Sequence, residues 1–307
     1  MLHNNFETMG KLHFVDNRIV LTRQKSILRL ISNAGGCIGK TRLHKLAFVL
    51  RDEVPGSPTS QVYQFVPYHF GPYSFTMNHD LKKLESEGFV RISDKEIHIS
   101  DHAGTLPAFD KQLTTAVDTV SKRFASVKTD VLVSTVYSRY PWYTSNARDR
   151  SKRRAAIPMV SCAVFTVGYE GLMLDGLLDL LLKNGIKRLI DVRANPVARQ
   201  FGFHKSTLLR HCLDLSVEYV HIPELGITSE NRADLNGKSA YDKLFSHYES
   251  ETLASETDAV ELAMRLVMET PSALMCLEAD CTFCHRSRLA ELIAIRTGLA
   301  IRELRTL

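Results

Sequence analysis

Four times in its second half the chain runs apolar and then stops at charge. CAVFTV at 162–167 leads into Gly168-Tyr169-Glu170. RLIDV at 188–192 carries Asp191 near its end, with Arg193 just beyond. VEYVHI at 217–222 gives way to Pro223-Glu224-Leu225-Gly226, and ALMCL at 273–277 stops at Glu278. Helical periodicity fills the gaps at 172–183, at 205–213 and, as two helices, across 239–269. A last helix opens at Cys284-His285-Arg286 and continues through Leu289, Leu292 and Ile293. Short apolar runs alternating with helices specify an α/β domain with a mainly parallel sheet, because parallel strands are buried on both faces and need crossovers. Ligands of such sheets bind at the carboxyl ends of the strands. The charged stops should therefore gather on one rim.

The first half follows another order. SILRLISN at 26–33 has helical spacing and stops at Gly35-Gly36, and 41–50 gives a second helix with Leu43, Leu46, Ala47 and Leu50 inward. PGSPTS at 55–60 is a loop, and 62–70 alternates like a strand. After Gly71-Pro72-Tyr73, Ser74 should cap a helix over 75–87 that ends at Gly88. FVRISDKEIHIS at 89–100 reads as a hairpin. Three helices and a hairpin are the order of an α+β winged helix-turn-helix, closed here by a long helical stretch over 108–137. TSNARDRSKRRAAIP at 144–158, polar and basic, reads as a linker, which divides the chain into domains at 1–150 and 160–307.

At 307 residues the chain has room for two such domains. Its apolar content of 44% and charged content of 24% are those of a soluble globular protein. No apolar run approaches the ~20 residues of a membrane span. The first residues lack the apolar core of an export signal, and six irregularly spaced cysteines suggest free thiols, so a cytoplasmic location is expected. Charge is uneven: residues 1–157 hold 23 Lys and Arg against 14 Asp and Glu, and the remainder 16 against 20. A basic first half fits a face toward nucleic acid, and equally well an ordinary solvated surface.

On the rim, Arg193, Arg199, Lys205 and Arg286 could neutralise an anion, with Tyr169 and Phe203 offering rings to a base. Asp191 or Glu278 could act as a general base or orient a hydroxyl, with Cys284 and His285 beside them. A helix start beside Arg lowers a thiol pKa, which makes Cys284 a candidate nucleophile of the sulfurtransferase or phosphatase kind. Against this, the loop lacks phosphate-cradling glycines, and Asp191–Arg193 and Glu278–Arg286 could be structural pairs. Cys281-x-x-Cys284 has zinc-knuckle spacing, with Cys276 and His221 as extras, but no second ligand pair follows, so no metal or cofactor is expected. In the first half, His79, Lys82 and Lys83 on the third helix, with Arg91 and Lys95 on the hairpin, could contact DNA phosphates. Glu85 and Glu87 on the same helix would oppose that.

Four ordered motifs carry a resemblance: GYEG at 168–171, IDVRANPVARQFGF at 190–203, VEYVHIPELG at 217–226 and CLEADCTFCHRSRLAE at 276–291. Together they resemble the domain of unknown function 488 family. That resemblance implies a characteristic set of Asp191, Arg193, Pro196, Phe203, Lys205, Leu225, Gly226, Glu278, Cys284, His285 and Arg286, though the stretch after Gly226 lacks the second glycine and basic cluster of the pattern. It implies no activity. KTRLHKLAFVL at 40–50, FVPYHFGPYS at 65–74 and VYSRYPWY at 136–143 make the first half similar to YwgA-type winged helix-turn-helix proteins and SocA-type antitoxins. This implies a regulatory, toxin–antitoxin or defence setting.

The expectation is thus a DNA-associated protein whose α/β domain binds, and could process, a phosphate-bearing ligand. A ligand-sensing regulator without turnover, a thiol enzyme and a protein-binding adaptor are the alternatives. DNA, a phosphate-bearing small molecule and a partner protein are the expected partners. A homodimer would suit two-fold DNA sites, and a membrane is not expected.

Overall fold

The computed structural model describes residues 20–54, 62–100, 110–228 and 237–305. The N-terminal segment, the loop at 55–60, the expected helix start at 108 and most of the stretch after Gly226 lie outside them. Among the described residues, no helix is long and apolar enough to cross a membrane.

The first half runs α1 (Thr22–Asn33), β1 (Cys37–Gly39), α2 (Lys40–Glu53), β2 (Val66–Tyr68), β3 (Gly71–Tyr73), α3 (Phe75–Ser86), β4 (Val90–Ile92), β5 (Glu96–Ile99), α4 (Lys111–Phe124) and α5 (Thr129–Arg139). The expected hairpin forms as β4 and β5. A short strand not expected from sequence, β1, joins it to give an antiparallel sheet of order β1-β5-β4. The strand expected over 62–70 is cut to β2: the chain reverses at His69-Phe70 and pairs back as β3, which opens at Gly71 (φ +88°). The single closing helix is two: α4 ends at Phe124 and α5 starts at Thr129, and Arg42 from α2 donates to the Phe124 and Val127 carbonyls at the break, where Phe124 O also accepts from Val127 N. Ile27, Leu43, Phe48, Met77, Leu84, Val117 and Leu132 pack into one core.

The second half runs β6 (Val164–Gly168), α6 (Leu174–Lys183), β7 (Arg188–Asp191), α7 (Lys205–Asp214), β8 (Glu218–His221), α8 (Lys238–His247), a π turn (Tyr248–Thr252), α9 (Leu253–Ser255), α10 (Thr257–Glu269), β9 (Ser272–Cys276), α11 (Arg286–Thr297) and β10 (Ile301–Leu304). Five strands form one parallel sheet of order β10-β6-β9-β7-β8, so the second half is an α/β unit as the alternation predicts. Only the edge strand β10 is new. Side chains alternate between the two faces. Ala273 and Met275 of β9 meet α6 and α7, while Leu274 and Cys276 meet α10 and α11. Each fully buried Leu in these layers contributes about 1.5–3 kcal/mol.

The halves are locked together at the start of α3. Ser74 caps it as expected, accepting from Met77 N at 3.1 Å. Asp175, buried in the first turn of α6, accepts from Phe75 N (2.6 Å), Thr76 N (3.1 Å) and Ser74 Oγ (3.1 Å). A carboxylate there meets the free amides and positive end of the α3 dipole. Gln64 accepts from Met173 N at 2.8 Å, Trp142 Nε1 donates to Asp179 at 2.7 Å, and Val66 and Phe75 enter the core of the α/β half. The basic segment after Tyr143 is also less free than its composition suggests: Ala147 is buried, and Arg148 N donates to His69 O at 2.9 Å.

Two predictions follow from buried charge. Asp175→Ala leaves two amides and a hydroxyl without their acceptor, and should cost about 3 kcal/mol in urea unfolding. Lys45 is 2% exposed, its ammonium donating to the carbonyls of Phe70 (2.6 Å) and Pro72 (3.2 Å). Burial lowers its pKa from 10.5 to about 7. The unfolded chain then binds the extra proton between those values, so stability should rise from pH 7 toward 10, by a few kcal/mol. Lys45→Met should flatten that rise, as read by chemical denaturation across the range.

Candidate functional site

The rim is built around Asp191, which ends β7 and is fully buried. Its Oδ1 accepts from Arg193 N (3.1 Å) and Nε (2.8 Å), and its Oδ2 from Arg193 Nη2 (2.6 Å) and the Tyr219 hydroxyl (2.6 Å). Burial, then Asp191, pushes the Tyr219 pKa well up. Burial alone would lower the Arg193 pKa, but Asp191 outweighs it and the pKa is raised, so the guanidinium stays charged. Arg193 Nη1 also donates to Tyr169 Oη at 3.0 Å. The Tyr169 ring stacks on Phe203 with centroids 4.1 Å apart. With four donors on its two oxygens, Asp191 fits the structural-pair reading better than that of a base.

Two histidines hold the turn after β7. His285 Nε2 donates to Val192 O at 3.1 Å and His221 Nε2 to Arg193 O at 2.9 Å. Carbonyls only accept, so each ring carries its hydrogen on Nε2 and presents a lone pair at Nδ1 when neutral. The His221 lone pair accepts from Lys205 Nζ at 3.0 Å. The His285 lone pair lies 3.8 Å from Cys276 Sγ. Tyr219 and His221 reach Asp191 and the turn because they share one face of β8, two residues apart. That period was legible in the sequence, yet Tyr219 escaped the reading.

The segment after β9 departs from expectation. Its helix begins at Arg286, after a 3-10 turn at Cys281–Phe283. Cys284 is 1% exposed, and burial, with Cys276 and Glu278 nearby, pushes its thiol pKa well up. The expected lowering at a helix start is overridden by desolvation. Arg286 does not face the rim. It is fully buried and donates to the Glu278 and Ala279 carbonyls, with Glu303 at 3.4 Å, so it fastens the 278–279 loop rather than an anion. The Cys281–Cys284 pair does not close as a knuckle either. Cys281 lies by Glu303, whereas Cys284 groups with Cys276 and His285.

Arg199 and Lys205 are exposed, and Glu278 is half-buried with Oε2 3.3 Å from Cys276 Sγ. Two glycines let the rim close. A Cβ on Gly168 would lie 1.9 Å from Glu278 O, and one on Gly226 2.0 Å from Ala194 N. A cavity of about 400 Å³ at the ends of β6 and β10 is lined by Gly168, Glu170, Ala279, Asp280 and Arg305, not by Arg193, Arg199 or Lys205. Another, of about 680 Å³, lies between the halves, with Arg51, Gln64, Asp179, Lys183 and Arg305 on its walls.

All five candidate DNA contacts, His79, Lys82, Lys83, Arg91 and Lys95, are exposed. His79 also stacks on Phe201, centroids 3.9 Å apart. The two opposing glutamates are engaged locally: Glu85 accepts from Ile92 N at 2.8 Å, and Glu87 lies 3.7 Å from Lys83.

Fold and site thus define a doubly wound parallel α/β unit with a buried Asp–Arg–Tyr lattice and a thiol–imidazole cluster at its strand ends. Residues 173–293, which hold three of the four motifs and all but the flanking strands of this unit, match the family described as "Domain of unknown function DUF488". No curated protein and no solved structure matches the chain.

Asp191→Asn should strand a buried guanidinium and cost about 3 kcal/mol. Arg199→Ala, on an exposed side chain, should stay within about 0.5 kcal/mol. Equal losses in parallel urea titrations would contradict this division of the rim.

Proposed function

We propose that this is a nucleic-acid-associated regulatory or defence protein of the cytoplasm. Its α/β half binds a phosphate-bearing ligand at the strand rim, and its first half docks on DNA as a winged helix-turn-helix. The observation that carries the reading is the physical link between the two surfaces. Phe201, in the loop that follows Arg193 and Arg199, stacks on His79 of α3, while Asp175 holds the start of the same helix. Ligand held by Arg199 and Lys205 would act on that loop, and through it on the helix that bears Lys82 and Lys83.

The order β1-β5-β4, with α3 leading into the hairpin, supports the winged-helix reading and with it the likeness to YwgA-type and SocA-type proteins. The covered first turn of α3 leaves its second half and the hairpin to meet phosphates. A sensor without turnover is favoured over an enzyme, because Asp191, Cys284 and His285 are buried and engaged. Glu278 alone of the four catalytic candidates reaches solvent in part.

The test is a salt titration of full-length protein on duplex DNA and on nucleoside phosphates. Lys82→Ala with Lys83→Ala should flatten the slope of log affinity against log salt by about one per lost phosphate contact. Arg199→Ala with Lys205→Ala should weaken nucleotide binding about tenfold and spare ligand-free DNA binding. The nucleotide should be recovered unchanged. No DNA affinity at low salt would sink the winged-helix part, and turnover would sink the sensor.

A further inference from the structure

The end of β9 and the start of α11 bring together three metal-ligating side chains, of which His285 also holds the turn after β7 through its Nε2. Cys276, Cys284 and His285 are each at most 1% exposed, and their ligand atoms all lie within 4.8 Å of one another. Cys276 Sγ is 3.8 Å from His285 Nδ1 and 3.3 Å from Glu278 Oε2. Metal–ligand bonds of about 2.0–2.3 Å set the edges of a tetrahedral site at about 3.3–3.8 Å, so the Cys276–His285 and Cys276–Glu278 gaps match two such edges, and an ion would draw the 4.8 Å cluster of Cys276, Cys284 and His285 slightly together. His285 is already oriented as a ligand, because its Nε2–H is spent on Val192 O and its Nδ1 lone pair faces the sulfur.

We propose that Cys276, Cys284 and His285, with Glu278 drawn in from its place beside Cys276, form a structural site for a borderline-soft divalent ion of the Zn²⁺ class. Two thiols and an imidazole select such an ion over Mg²⁺ or Ca²⁺. On binding, both thiols give their protons to solvent and the metal–sulfur bonds form, with no change of oxidation state. Two thiolates, one carboxylate and the ion leave a single negative charge, beside the Arg286 guanidinium that fastens the same loop and is shared with Glu303. Burial of three ligands makes the site closed, and its effect is to clamp the 277–284 loop to the sheet. The ligands come from either side of the loop, eight residues apart between the cysteines, which is why the Cys281-x-x-Cys284 spacing pointed elsewhere.

The experiment is metal analysis of full-length protein purified without chelator, followed by replacement with Co²⁺. Stoichiometric Zn²⁺ is expected, and the Co²⁺ form should show thiolate charge-transfer bands with the intense visible bands of a tetrahedral centre. Cys276→Ser and Cys284→Ser should lose the metal, Glu278→Gln should weaken it about tenfold, and Cys281→Ser should keep it. Should the serine variants fail to fold, the wild-type cobalt spectrum decides alone. Wild-type protein that takes up neither ion, a cobalt spectrum without sulfur, or a Cys276–Cys284 disulfide in protein kept under reductant would each overturn the site.

Discussion

Much of this structure depends on one carboxylate. Asp175 lies in the first turn of a leucine-rich helix, where burying a charge is costly unless donors meet it. It is met by two backbone amides and a hydroxyl at the head of α3. That geometry fixes the direction of α3 relative to α6, and the other contacts between the halves fall into register around it. Phe75 packs against His211 with centroids 4.3 Å apart, and Gln64 fills the space above Gly176. The two halves therefore share one apolar layer, and the helix that faces outward from the first half is oriented by the second.

The same economy governs the rim. Charged groups at strand ends are expected to be solvated or reactive, but here most of them are structural. Asp191 and Arg193 neutralise each other inside the protein, Tyr169 and Tyr219 close the remaining hydrogen bonds, and two histidines take successive carbonyls of the turn. Under the proposed reading, what is left for a ligand is the outer shell, with Arg199 and Lys205. A rigid inner lattice with a sparse outer one suits recognition better than bond-making, since general acids and bases need room to exchange a proton.

How much of this the sequence carried follows from where its signals are local. Strands buried on both faces appear as apolar runs, so β6, β7 and β9 were legible, as was the Ser74 cap, while the edge strand β8 showed through the apolar residues of Val-Glu-Tyr-Val-His-Ile. Two short edge strands carry no such signal: β1 and β10 exist because a neighbour offers hydrogen bonds, not because Cys-Ile-Gly or Ile-Arg-Glu-Leu demands extension. The break between α4 and α5 is bridged by Arg42, 82 residues from the Phe124 carbonyl to which it donates. The same holds for Arg286. Its sequence neighbours suggest a helix-start anion site, but the fold turns it inward onto a loop that its own strand has just left.

The strand order has a consequence for how the chain reaches this state. On either side of β6 (Val164–Gly168) lie β9 (Ser272–Cys276) and β10 (Ile301–Leu304), both synthesised much later. Until they arrive, β6 has two open edges and the apolar face of α6 has little of its sheet to cover. The first half has its own local contacts and can form early, whereas the parallel sheet must wait for distant pairings with high loop-closure entropy. The interval between is when the nascent chain exposes unpaired β edges. Asp175, already waiting on α6, gives the completed α3 a docking point that can shield part of that surface before the sheet closes.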